Sequence, residues 1–155
     1  MAAYFSLEEI QELEQYGSRI LRRVDYIFWV NNTLEEPLYL IDSIILGFDQ
    51  DLALELVLDD PGTGIALGGK DYEVEQMKLE EEYNGKIFYK KLPADKLRAW
   101  GGTIGQPLLN IDLITEDKKN FKNEGLVLNF NTGKVGITAL DDELKAVPLE
   151  DDDEA

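Results

Sequence analysis

Residues 124–144, Glu-Gly-Leu-Val-Leu-Asn-Phe-Asn-Thr-Gly-Lys-Val-Gly-Ile-Thr-Ala-Leu-Asp-Asp-Glu-Leu, constrain the fold more than any other stretch of the chain. Leu126, Leu128 and Phe130 alternate with Val127 and Asn129, as a strand with one buried face requires. Asn131-Thr132-Gly133-Lys134 then supplies residues that tolerate positive φ, and Val135, Ile137 and Ala139 resume the alternation. The stretch reads as two short strands around a tight turn.

The same design occurs earlier. Pro37-Leu-Tyr-Leu-Ile-Asp42 returns as Pro107-Leu-Leu-Asn-Ile-Asp112, and Leu54, Leu56, Leu58 and Ile65 correspond to Leu126, Leu128, Phe130 and Ile137. The polar insert 115–124 absorbs the small difference in offset. Two copies are too few for a solenoid, so the echo suggests a pair of β-meanders, 37–67 and 107–139. Against duplication stands the ease with which leucine-rich strands resemble one another.

Around these units the turn chemistry predicts strands near 38–48, 52–59, 65–67, 86–90, 107–114, 125–131 and 134–140. Ser6-Leu-Glu-Glu9 has the form of a capping box, and Leu7, Ile10, Leu13, Ile20, Leu21 and Val24 follow at helical spacing. Acids lie early in that segment and Arg19, Arg22 and Arg23 late, as the helix macrodipole favours. The spacing predicts a helix over 7–23. Val24–Val30, β-branched and aromatic, is read as a strand, with continuation of the helix as the other reading. Residues 70–83 alternate imperfectly, Asn84-Gly85 is a hairpin signal, and Pro93–Trp100 has the look of a short helix.

The expected class is α+β: a mostly antiparallel sheet built from two meander units, with an N-terminal amphipathic helix and a short helix near 93–100. Residues 1–148 would form one compact domain, and 149–155 an acidic, disordered tail.

Composition narrows the chemistry. The 155 residues include no cysteine and no histidine, which removes thiolate chemistry, the commonest general base and the usual transition-metal ligand. No signal-peptide pattern and no apolar run of membrane-spanning length is present, so a cytoplasmic protein is the expectation. With 32 acidic against 15 basic residues the net charge is −17, a surface that repels nucleic acid and anionic lipid and attracts basic partners. Solubility alone also accounts for such a balance.

Asp49-Gln-Asp51, Asp59-Asp60 and Asp141-Asp-Glu143 carry hard oxygen ligands, but without EF-hand spacing they are read as turn acids rather than metal sites. Asp42 and Asp112, at matching repeat positions, would suit a facing carboxylate pair. The glycines at 62–64, 68–69 and 101–105 lack Walker A spacing. Lysines at 86, 90 and 91 interleave with Phe88, Tyr89 and Trp100, yet the net charge opposes a nucleic-acid platform. No cofactor is expected.

The function these features suggest is a non-catalytic binding protein that neutralises a basic protein partner, in the manner of immunity proteins that block nuclease toxins. The expected contact residues are Asp59, Asp60, Asp141, Asp142, Glu143 and Trp100. A DNA-mimicking anti-restriction protein, and a small carboxylate-based metal-binding protein or enzyme, are the alternatives.

Overall fold

The computed structural model describes residues 4–59, 62–68, 70–115 and 117–149. It is an α+β protein with two antiparallel sheets. Strands β1 (Leu21–Asn31), β2 (Leu38–Phe48), β3 (Ala53–Leu58), β4 (Ile65–Leu67) and β5 (Ile87–Pro93) form one sheet in the order β4-β3-β2-β1-β5. Strands β6 (Leu108–Ile114), β7 (Lys122–Phe130), β8 (Gly133–Leu140) and β9 (Glu143–Leu149) form the other in sequential order. Helices α1 (Leu7–Glu14) and α2 (Tyr72–Tyr83) complete the fold. Among the described residues no helix is long and apolar enough to cross a membrane.

One core joins the sheets. Leu21, Val24, Ile44, Leu46, Leu54 and Leu56 come from the first; Leu126, Leu128, Ile137 and Leu144 come from the second. Each of these side chains is essentially removed from water, worth roughly 1.5–3 kcal/mol apiece before the entropy of ordering them. The hairpin read from residues 124–144 is present as β7-β8, with Leu128 opposite Val135 and a two-residue connection between Phe130 and Gly133. Meanders β2-β3-β4 and β6-β7-β8 share an order of strands but differ in register. Ile65 pairs with Leu58, whereas Ile137 pairs with Leu126.

The first helix is shorter than its spacing predicts. The capping box is formed, with Glu9 N–H donating to Ser6 Oγ at 3.1 Å and Ser6 N–H to Glu9 Oε1 at 2.9 Å. The helix nevertheless ends at Glu14 rather than at residue 23. Tyr16-Gly17-Ser18 makes the break, with Ser18 at φ 71°, and a competing ladder captures residues 18–21. Ser18 N–H reaches Leu108 O at 2.6 Å, Leu108 N–H reaches Arg19 O at 2.8 Å, and Leu21 N–H reaches Gln106 O at 3.0 Å. Ile20, Leu21 and Val24 therefore serve a strand and its approach, because sheet hydrogen bonds and burial outweigh helix propensity.

Residues 72–83, read as imperfect alternation, form α2 instead. Glutamate, glutamine, methionine, lysine and leucine are strong helix formers, and Asp71 caps the start by accepting from Glu73 and Val74 N–H. Asn84, left-handed at φ 52°, ends the helix, so Asn84-Gly85 is a C-cap and not a hairpin turn. No residue of α2 is buried, which is why no apolar period marks it in the sequence. The helix expected at 93–100 is reduced to a 3-10 turn over Arg98–Trp100, because Pro93 closes the edge strand β5. Strand β9 was not expected. Its ladder with β8 pairs Leu140 with Glu143 and Ala139 with the fully buried Leu144. The acidic tail expected at 149–155 lies, beyond Leu149, outside the described residues.

Candidate functional site

Two turns far apart in sequence meet at one place. In the loop after β3, Asp59 Oδ1 accepts the N–H groups of Gly62, Thr63 and Gly64 at 3.1, 3.2 and 3.1 Å. One carboxylate oxygen thus organises the loop. At the β8-β9 tip, Asp141 and Asp142 occupy the two central turn positions with φ 54° and 65°, a conformation aspartate tolerates better than most residues. Asp142 N–H donates to Gly62 O at 3.2 Å, joining the turns. Gly62 has φ 76°, and a Cβ there would run into the Asp142 carboxylate, so only glycine lets them close. Asn123 of β7 adds a second link, reaching Ile65 O at 3.2 Å.

Between the turns and the first sheet lies a cleft of about 340 Å³. Asp42, Asp59 and Asp142 line it with Lys70, Trp29 and Tyr89. Asp42 enters through a β-bulge. Ile27 of β1 pairs with Ser43 and Phe28 with Ile41, leaving Asp42 as the extra residue of β2. A bulge re-aims side chains, and here the neighbours Asp42 and Ser43 both reach the Tyr72 hydroxyl. Asp42 Oδ2 accepts from Tyr72 at 2.6 Å and from Lys70 Nζ at 2.7 Å, and the Lys70 ammonium lies over the Tyr72 and Tyr89 rings. The Tyr72 and Tyr89 rings meet edge to face at 4.9 Å between centroids. This cluster ties the first turn of α2 to the sheet, and Gln76 Oε1 adds a bond from Tyr89 N–H at 2.8 Å.

The electrostatics describe an anchor. Burial lowers the affinity of Lys70 for its proton, but the hydrogen bond and charge of Asp42 outweigh this and hold its pKa above the ordinary lysine value. Burial first, and then the Asp42 hydrogen bond, push the Tyr72 phenol well above the usual tyrosine range. Burial also raises Tyr89, against the opposing charge of Lys70. Neither an ammonium so stabilised nor phenols so raised is poised as a general base near neutrality.

These shifts predict alkaline sensitivity. Each group holds its proton more tightly in the fold than in the unfolded chain, where tyrosine titrates near about 10 and lysine near about 10.4. Above that pH the unfolded chain binds fewer protons, so stability falls as pH rises. The urea midpoint should be level between roughly pH 7 and 9 and decline above about pH 10, with a shallower decline in Tyr72→Phe. A level midpoint up to roughly pH 11 would show that the cluster does not persist in solution.

Of the residues singled out in the sequence, Asp59 and Asp142 line the cleft. Asp141 is exposed at the tip beside it, and Glu143 lies at the start of β9 with its carboxylate 3.6 Å from Lys145 Nζ. Asp60 lies outside the described residues. Trp100 requires correction: it is 0 % exposed, donates its indole N–H to Tyr26 Oη at 2.7 Å, and is a core residue that no partner can touch. Its burial also removes it from any stacking platform with Tyr89. Asp42 and Asp112 do not face each other; Asp112 accepts instead from Asn129 at 2.8 Å. Among the described residues no group of three or more carboxylates converges as a metal site. Trp29, whose type suggests a core or interface anchor, lines the cleft, whereas Lys70 and Tyr72 were missed, because the bulge that aims Asp42 at them depends on the β1 register.

No family model, curated protein or solved structure matches this chain.

Proposed function

We propose that the protein is a non-catalytic binder that neutralises a basic protein partner, with the cleft between the two acidic turns as its contact centre. One observation carries this reading: Asp142 and Gly62, eighty residues apart in sequence, are hydrogen-bonded, so Asp59 and Asp142 line one cleft beside Trp29. Lys70 neutralises Asp42, while the exposed Asp142 is available to an incoming lysine or arginine side chain. Asp59, whose oxygens hold the loop and accept from Asn123, adds its uncompensated negative charge to the cleft. The Trp29 and Tyr89 rings add faces on which a guanidinium can stack. A nucleic-acid-cleaving enzyme is the partner class such a surface suits, since that enzyme's groove is positive, and this chain would be its immunity-type inhibitor.

DNA mimicry is the second reading, favoured by α2, which has no fully buried residue and carries Glu73, Glu75, Glu80, Glu81 and Glu82. Its twelve residues span about 18 Å, over which a duplex carries about ten phosphates. Five glutamates, offset by Lys78, give half that density or less, which favours the protein-binding reading.

The test replaces Asp59 and Asp142 together by asparagine. Asparagine keeps an acceptor oxygen for the 59–64 loop and tolerates the left-handed conformation at 142. The variant should lose about 1–2 kcal/mol, from the charge that Asp59 offers three N–H groups and Asn123, and remain folded. Proteins captured by the wild type should be basic, released by salt, and bound about tenfold or more weakly by Asp59→Asn/Asp142→Asn. Capture of acidic partners, indifference to salt, or equal binding by the folded double variant would sink the proposal. Competition by duplex DNA for the captured protein would favour mimicry.

A further inference from the structure

A second cleft, of about 450 Å³, separates α1 from β6, and its lining identifies what it exposes. Five consecutive residues, 109–113, line it. Beyond the bulge at Leu109, successive side chains of the strand point to opposite faces, so consecutive residues 110–113 border one cleft because it runs along the backbone edge. β6 is the outermost strand of its sheet. The 18–21 segment covers that edge only as far as Leu108. Beyond it, among the described residues, the backbone of 109–114 makes no bond on the side away from β7.

The other three edges are protected. Gln76 of α2 occupies the Tyr89 N–H on β5, β4 has three residues, and β9 carries Pro148. β6 is bulged at Leu109, where its register with β7 slips, but beyond the bulge it lacks such protection: Leu109 itself is 50 % exposed, and no lysine or arginine lines the cleft. Its charges are those of Glu14 and Asp112, set among Ile10, Leu13 and Leu109.

We propose that the open edge of β6 takes up an extended, basic segment of another protein by strand addition. Backbone groups of 109–114 would supply the ladder, apolar residues of the guest would meet the half-exposed Ile10 and Leu109, and its lysines or arginines would meet Glu14 and Asp112. A second copy of this chain fits poorly, since it brings the same acidic edge and a net charge of −17. The proposal rests on the preceding reading only for the sign of the partner's charge; the surface is a different one.

The test titrates the full chain with a fluorescent peptide of alternating lysine and valine. Controls are the glutamate–valine counterpart and a lysine–valine peptide N-methylated at alternate amides, which keeps its charge but cannot complete a ladder. Binding of the first alone, with slowed amide exchange confined to 109–114, is the expected result. Glu14→Lys should weaken it about tenfold, and because it places a cation at the C-terminus of α1 it should leave the fold intact. Asp59→Asn/Asp142→Asn should leave peptide binding unchanged. Absent binding, equal binding of the N-methylated peptide, or protection elsewhere overturns the proposal. Binding lost in the asparagine variant but kept in Glu14→Lys also overturns it, and leaves the cleft between the turns standing. Concentration-dependent protection of 109–114 in the protein alone would assign the edge to a second copy, against the proposal.

Discussion

Trp100→Ala should cost this protein roughly 5 kcal/mol, enough to consume most of the stability of an ordinary domain. The indole is fully buried in the core that joins the two sheets, and its truncation removes the largest fully buried side chain there. Cavities left by large-to-small changes of aromatic residues cost about 3–5 kcal/mol on their own. The Tyr26 hydroxyl, itself buried, would also lose the 2.7 Å bond from the indole N–H, adding about 1 kcal/mol or more. Trp100→Phe retains most of the volume and should cost about 2 kcal/mol. Urea unfolding followed by circular dichroism measures both. Equal midpoints for wild type and Trp100→Ala would return the residue to the surface role that its type alone suggested.

That residue shows where sequence reasoning loses resolution. An aromatic next to a Gly-Gly turn is compatible with an interface anchor or a core filler, and only the burial of Ala99 and Trp100 decides between them. Strands fared better, because alternation is local: β2 and the β7-β8 hairpin lie where their patterns put them. The helices fared worse for two opposite reasons. The pattern of 7–23 continues past the true end of α1, since a bulged strand at Leu21–Arg23 presents Leu21 and Val24 at a spacing a helix also allows. α2 has no apolar stripe, so its evidence lies in propensity and in the Asp71 and Asn84 caps.

For the site, the suggested repeat would bring the glycines and acids of 59–64 and 131–133 to one end of the sheet, with Asp141–Glu143 nearby. The 59–64 loop does meet Asp142, but the 131–133 turn lies at the far end of β8, where Thr132 bonds Gly102 O. The two units of that repeat do not share a register. Among the described residues the bond from Asp142 N–H to Gly62 O joins the two turns, and Asn123 ties the 59–64 loop to β7. The Lys70 and Tyr72 partners of Asp42 were illegible. They lie about thirty residues away across a bulge whose existence depends on pairing with β1.

Asp42→Ala is the second large effect. The Asp42 side chain is 8 % exposed and Lys70 26 %, so removing the carboxylate strands a cation that is mostly, though not wholly, shielded. Truncating one partner of a fully buried pair costs about 3–5 kcal/mol; the partial exposure of Lys70 lets its ammonium turn to water, which reduces the expectation to about 3 kcal/mol. Asp42→Asn keeps an acceptor for the Tyr72 hydroxyl and for the ammonium, losing the charge alone, and should cost about 1 kcal/mol. The two variants also separate anchor from bystander. With no buried residue, α2 depends on Tyr72 and Gln76 for its attachment, so amide exchange across Tyr72–Tyr83 should quicken in Asp42→Ala well beyond the global loss and only slightly in Asp42→Asn. If exchange in α2 follows the global unfolding of each variant, the helix is held by something other than this cluster. Retention of full stability by Asp42→Ala would mean that the pair contributes no more than an exposed ion pair does.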